Sequence, residues 1–371
     1  MMKYSLSKSA LLKELNLLQG VVEKKNTIPI LSNILIETMG ESLISLVATD
    51  LDVSLQTECA ADVSHPGALV LQARRLFDIV RHLPDSEIHF AKEDNDWVRI
   101  SCGASEFKVI GQAREHFPTT PKSNRSGLVI PAGILHSLIN RTIHAITQEE
   151  SRYALNGALL MLTEGRLQMV ATDGHRLALA AAPLEQAPAD YQLKVNIPKK
   201  ALNELLKLAA NSDETFQFAE DDNHLFFKLG HRQLTSRMLT GQFPNYELVL
   251  PKNNDKTVPI NAERITQAIR RAALMADERS HAVKFDLSSG RLNISSQSAD
   301  VGEAKEIIPV DYSGDDLTIG FNAQYLLDFL AVAGTEEVSF NFKDEQSPAL
   351  LKPRGDEQYD YQYVVMPMRL L

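Results

Sequence analysis

Apolar residues between Ser7 and Gln19, with Ala10, Leu11 and Leu12 among the first, recur at the spacing of an amphipathic helix. The same kind of run begins again at Pro131-Ala132-Gly133-Ile134-Leu135 and at Asn261-Ala262-Glu263-Arg264-Ile265, at intervals close to 125–130 residues. A second helical pattern keeps step with the first: Ala73 to Val80, Pro198 to Leu202, and Asn322 to Leu327. Aligning Ala73, Pro198 and Asn322 gives intervals of 125 and 124 residues. Strand patterns repeat as well. Leu46-Val47-Ala48-Thr49-Asp50 returns 123 residues later as Met169-Val170-Ala171-Thr172-Asp173, and each is followed by an alternating run, Val53 to Thr57 and Leu177 to Ala181. Phe117-Pro118 and Phe243-Pro244 are 126 residues apart, and Met366-Pro367 follows after 123. The period predicts three copies of one α+β unit of about 120 residues, each with two helices and antiparallel strands. Polar, Pro-bearing linkers near Pro121–Ser126 and Pro251–Thr257 divide the chain into 1–125, 126–255 and 256–371.

A chain of 371 residues is too long for one ordinary core of roughly 100–200 residues, and the repeat settles the count at three. No apolar run approaches the roughly 18 residues that a membrane span needs, and the start lacks the order of a secretory signal, so a cytoplasmic protein with no membrane partner is expected. Cys59 and Cys102, 43 positions apart, form neither a disulfide framework nor a CxxC pair and are expected to be buried.

Catalytic signatures are scarce. No two of the 18 glycines stand two positions apart, which excludes GxGxxG, and GxxxxGK[ST], HExxH and GxSxG are absent, so no cofactor is expected. Thr172-Asp173-Gly174-His175-Arg176 sets a carboxylate and an imidazole two residues apart, but Asp-Gly is hairpin-turn chemistry because Gly accepts positive φ without penalty. His136 and His144 fall on one expected helix and could share a face, yet without a third ligand they make no metal site.

The net charge of −10 argues at first against a simple nucleic-acid binder. Its distribution alters that. The six helical segments (7–25, 72–83, 131–152, 198–210, 261–279 and 322–333) hold 16 Lys and Arg against 10 Asp and Glu, leaving 22 against 38 elsewhere. Three copies of one fold suggest rotational pseudosymmetry, with helices lining a shared, net basic surface and the acidic remainder outside.

The triple repeat, the ATDGHRLA run from Ala171 to Ala178, the GQFPNY run from Gly241 to Tyr246 with its continuation to Asn253, and the tail Val364-Val365-Met366-Pro367-Met368-Arg369-Leu370 resemble the bacterial DNA polymerase III beta subunits, the replicative sliding clamps. The resemblance covers essentially the whole chain. It implies three clamp-type domains, a head-to-tail homodimeric ring around double-stranded DNA, and no catalysis. Helix packing agrees with a dimer. With axes about 9 Å apart, six helices in a circle leave a hole of only about 7 Å, whereas twelve leave about 24 Å, enough for a duplex on the order of 20 Å across.

By the same resemblance, DNA contacts fall to Lys25, Arg74, Arg152, Tyr153, Lys199 and Lys200. A cleft for short linear motifs of the DNA polymerase III alpha subunit, the clamp loader, other polymerases and repair proteins falls to Leu155, Thr172, Gly174, His175, Arg176, Leu177, Pro244 and Val249, with Val364, Met366, Pro367, Met368 and Arg369 of the tail and Asn322 and Tyr325 at an outer subsite. The dimer contact falls to Phe107 against Leu274 and Met275, with Arg75 and Arg99 able to face Glu303 or Glu306. Glu149 stands where the family pattern has an uncharged Gln, and Leu248 where it has Arg. Pro367, which cannot donate to a ladder, predicts an edge position for the last strand. Two other readings compete: an enzyme using Asp173 and His175 as acid and base, and a peptide-binding scaffold that never encircles DNA and needs no basic lining.

Overall fold

The structure, a computed structural model, describes residues 2–22, 28–123, 127–147, 149, 151–185, 187–188, 191–300 and 302–369. Lys25 lies outside the described residues. Among them stand six α-helices, two per repeat: α1 (Lys8–Val21), α2 (Ala73–His82), α3 (Ala132–Thr142), α4 (Lys199–Ala209), α5 (Ala262–Ala273) and α6 (Ala323–Val332). Each begins at the residue after a strand. Ser7, Gln72, Asn261 and Asn322 keep extended backbone immediately before α1, α2, α5 and α6. Asn261 and Asn322 also accept the Arg264 and Gln324 amides on their side chains, satisfying donors that the first helical turn leaves open.

The chain clusters into two compact units, residues 1–136 with 200–238 and residues 137–199 with 239–371, so the central repeat contributes to both. Among the described residues all strand pairings are antiparallel. The first unit holds a five-stranded sheet in the order Asp62–His65, Lys3–Ser7, Glu87–Lys92, Trp97–Cys102, Ser105–Ile110. It also holds an eight-stranded sheet: Leu128–Pro131, Thr215–Glu220, His224–Leu229, Arg232–Arg237, Val53–Ala60, Leu43–Thr49, Asn33–Met39, Ala68–Gln72. The second unit repeats this design with Leu193–Pro198, Gly157–Thr163, Arg166–Thr172, Arg176–Pro183, Asp360–Val365, Ala349–Arg354, Glu337–Phe342 and Lys256–Asn261. Its smaller sheet runs Gly302–Pro309, Arg291–Ser298, Ala282–Ser288, Leu317–Asn322.

Each eight-stranded sheet therefore joins four strands of one repeat to four of the next. Leu55 faces Leu234 at the first junction and Leu177 faces Val364 at the second. The positions equivalent to these joining strands at the two ends, Ser105–Ile110 and Gly302–Pro309, have one sheet neighbour each.

Three expectations change or sharpen. His144 does not share α3 with His136, because α3 ends at Thr142, whose hydroxyl donates to the Leu138 carbonyl at 2.8 Å, and His144 lies in the 3-10 turn Ile143–Ala145. Asp360–Val365 is not an edge strand: it is paired on both sides and ends before Pro367, so the missing amide costs the ladder nothing. Cys59 and Cys102 are free and buried, as their spacing suggested, and burial followed by the nearby Glu14 carboxylate pushes the Cys59 thiol up to about 12.

Candidate functional site

Asp173, Gly174 and His175 close the hairpin between Arg166–Thr172 and Arg176–Pro183. Gly174 takes φ +88°, a conformation that a Cβ disfavours. Asp173 Oδ1 accepts the amides of His175 and Arg176 at 2.9 and 3.0 Å, and Thr172 Oγ1 accepts that of Gly174 at 3.1 Å. The other Asp173 oxygen takes Arg176 Nε at 3.0 Å. The carboxylate an acid–base pair would need is thus engaged in forming the turn.

Arg176 reaches inward from this turn. Its Nη1 donates to Asp328 at 2.5 Å and to the Tyr363 hydroxyl at 3.1 Å, Nη2 donates to the His144 carbonyl at 2.5 Å, and the guanidinium lies 4.3 Å from the centre of the Tyr325 ring. Burial opposes its charge, but Tyr363, Asp328 and Asp173 hold its pKa above the ordinary value. Arg176 is therefore a strut that ties the turn to α6, where Tyr325 and Asp328 sit. Beside it, burial and then the Arg176 charge press the His144 imidazole down to about 4, so the ring is neutral at pH 7.

Leu159, Val170, Leu177, Leu179, Phe243 and Val364 form one buried cluster, on which Leu155, Met161, Tyr246, Leu250 and Leu350 lie half-buried. The structure thus brings Leu155, Leu177 and Val364 together, and Pro244, Val249 and Met366 are exposed beside them in sequence. The tail leaves the sheet along a fixed path: the Met366 amide donates to the His175 carbonyl at 2.9 Å and the Met368 amide to the Gly320 carbonyl at 2.8 Å. Pro367 sits between these two donors. A cavity of about 550 Å³ lies against the tail, with Gly320, Glu345, Pro367, Met368 and Arg369 in its wall. Asn322 caps α6 with its side chain, accepting the Gln324 amide at 2.9 Å, and also donates to the Ser280 carbonyl at 3.3 Å. Sequence reasoning missed Leu159, Val170, Leu179 and Phe243, which strand alternation and the repeated Phe-Pro pair could have supplied. Asp328 and Leu350 had no local signal.

The basic residues divide. Arg74 on the first turn of α2 is exposed, and Tyr153 is 53% exposed in the 3-10 turn Tyr153–Leu155. Lys200 forms an ion pair with Asp50. Lys199 is half-buried, and burial followed by the Arg176 charge pulls its pKa down. Arg152 donates from Nη1 to the Asp173 carbonyl at 2.8 Å and pairs through Nε with Glu149 at 3.0 Å.

Of the expected interface residues, Phe107 is exposed on the free-edged strand Ser105–Ile110, Leu274 is 72% exposed just after α5, and Met275 is half-buried. Arg75 shares a surface groove with Phe107 and Ile79. Arg99 is held by Glu93 and Glu106, and Glu306 by Arg271, all within the chain.

Residues 2–121, 129–245 and 247–369 match in turn the N-terminal, central and C-terminal domain models of the DNA polymerase III beta subunit. The beta sliding clamp of Pseudomonas aeruginosa is 37% identical over 371 residues, covering 100% of both chains. The crystal structure of the DNA polymerase III subunit beta from Pseudomonas aeruginosa superposes with a TM-score of 0.93 at 37% identity, and that of the sliding clamp from Bacillus subtilis with 0.94 at 29%, each covering 100% of both chains. Three domain models in order and a relative matched from end to end place the repeat, the turn and the tail in one lineage: the chain belongs to the DNA polymerase III beta subunit family, the bacterial beta sliding clamps.

Proposed function

We propose that two copies of this chain close head to tail into a ring around duplex DNA and tether the replicative polymerase without catalysing a reaction. The repeats 1–125, 126–255 and 256–371 act as the three clamp domains. The observation that carries the reading is the pair of unmatched sheet edges. Successive repeats join by pairing one strand of each, and Ser105–Ile110 and Gly302–Pro309 are the two equivalents left open. Exposed edges invite pairing, and the apolar residues beside them, Phe107 and Ile110 on one and Ile307 on the other, are exposed too. A cavity of about 600 Å³ lined by Leu76, Ile79, Ile100, Val109 and Ile110 next to the first edge would receive Leu274 and Met275 of the second copy. A two-fold arrangement satisfies both edges twice and closes.

The helices then line the hole. Arg74, Lys199 and, outside the described residues, Lys25 attract phosphates without reading bases, Tyr153 offers its hydroxyl as a donor, and Lys200 contributes less because Asp50 already pairs with it. Leu155, Leu177, Val364 and the exposed Pro244, Val249 and Met366 form a cleft for short apolar motifs of the polymerase alpha subunit, the clamp loader and repair proteins in the cytoplasm. Methionine suits a cleft with several partners because it adapts its shape.

The test is topological. The chain should sediment as a dimer near twice 41.2 kDa, and after loading it should stay on nicked circular DNA and run off when the circle is cut. A stable monomer at micromolar concentration, or equal retention on circle and line, sinks the ring.

A further inference from the structure

Arg152 stands among the candidate phosphate contacts, yet two of its three guanidinium nitrogens are already engaged within the chain. Nη1 donates to the Asp173 carbonyl at 2.8 Å, and Nε faces Glu149 Oε2 at 3.0 Å. Glu149 is itself placed by its backbone: its amide donates to Thr147 Oγ1 at 3.2 Å, and its carbonyl accepts the Arg152 amide at 3.1 Å. The Leu155 amide donates to the Arg152 carbonyl at 2.8 Å, so the same short segment carries a residue of the apolar cleft. On the other side of the contact, a Cβ built on Gly174 would come 2.9 Å from Arg152 Nη1, so the guanidinium lies close against the glycine of the turn.

We propose that Arg152, oriented by Glu149, is a positioning residue of the peptide cleft that holds the Thr172–Arg176 turn to the segment bearing Leu155, and that it does not bind phosphate. This rests on the cleft reading above. Glu149 Oε2 lies 3.0 Å from the guanidinium, so a phosphate approaching Arg152 would have to compete with that carboxylate and would be repelled by it. The turn in turn sets where the His175 carbonyl receives the tail at Met366, so loosening it disturbs both walls of the cleft.

The experiment titrates a fluorescein-labelled short peptide with two adjacent large apolar residues into the full-length chain, and separately follows binding to a short linear duplex as salt is raised. Arg152→Ala should weaken the peptide about five- to tenfold, the net scale of one hydrogen bond at a partly exposed site, and leave the salt slope for DNA unchanged. Arg152→Lys, which can still donate to the Asp173 carbonyl, should restore most of the peptide affinity. Glu149→Gln should free the guanidinium and steepen the slope by about 0.9, one added phosphate contact. A slope that falls by about 0.9 in Arg152→Ala overturns the inference, as does unchanged peptide affinity in that variant or failure of Arg152→Lys to restore it. A wild-type chain that binds no such peptide sinks the cleft reading and this inference together, which separates the two failures.

Discussion

Glu14 shows how one side chain can tie two repeats together. It lies on α1 among Leu11, Leu15 and Leu18, almost fully buried, where a carboxylate is tolerable only if it is paired. Arg232 Nε donates to it at 2.8 Å and Thr57 Oγ1 at 2.7 Å. Burial raises its pKa, but the bonds from Arg232 and Thr57 outweigh that and hold it below the usual carboxylate range. The pH dependence follows from the sign. A depressed native pKa gives stability that is complete above the unfolded value of about 4.3 and is lost as pH falls through the native one. Glu14→Ala should cost about 3–5 kcal/mol, because it strands the Arg232 charge. Trp97, the only tryptophan, lies in the same compact unit, so its fluorescence reports the loss as a lower urea midpoint at pH 7. Glu14→Gln should also flatten the acid side of the wild-type midpoint profile. An unaltered midpoint in Glu14→Ala would show that the pair is energetically idle.

At the scale of elements, the path of the tail is set by two amides, that of Met366 and that of Met368, the second within an isolated antiparallel bridge to Gly320. Removing Pro367–Leu371 deletes the Met368 bond to Gly320 and one wall of the cavity beside it, but leaves Asp360–Val365 paired on both sides. Polymerase stimulation should fall at least tenfold while the sedimentation coefficient stays that of the dimer; full stimulation by the truncated chain would remove the tail from the cleft. Phe107→Glu acts on the other kind of element, a free edge, and should give monomer with an intact peptide site, checked by sedimentation and peptide titration. The hairpin at Asp173-Gly174 and all six helices were legible in the sequence because their causes are local: turn chemistry, positive φ, apolar spacing and a period seen three times. The joining of Arg176–Pro183 to Asp360–Val365 was not, since nothing near either strand names a partner so far along the chain. Arg176 illustrates the same limit. Its position beside the turn was clear, but its partners Asp328 and Tyr363 come from a different repeat, and nothing local names them.

For the whole molecule, the relevant quantity is the placement of charge and not its sum. A net charge of −10 repels phosphate, while an excess of Lys and Arg on the helical segments attracts it, and both effects act through solvent and weaken with salt. The proposed ring is different in kind, because escape from it would require breaking an interface of strand pairing and apolar contacts, on which screening acts little. These two holds can be separated. At about 0.5 M NaCl the screening length falls to roughly 4 Å, and an electrostatic tether with several phosphate contacts would lose orders of magnitude in affinity. Protein loaded on nicked circular DNA should nonetheless remain through a wash at that salt, and should leave within the same wash once a single cut linearises the circle. Release from the intact circle as fast as from the linear form would mean that charge alone holds the chain on DNA. Retention on the circle would instead assign the helical cations a lesser part, that of keeping the duplex centred and mobile while the interface does the holding.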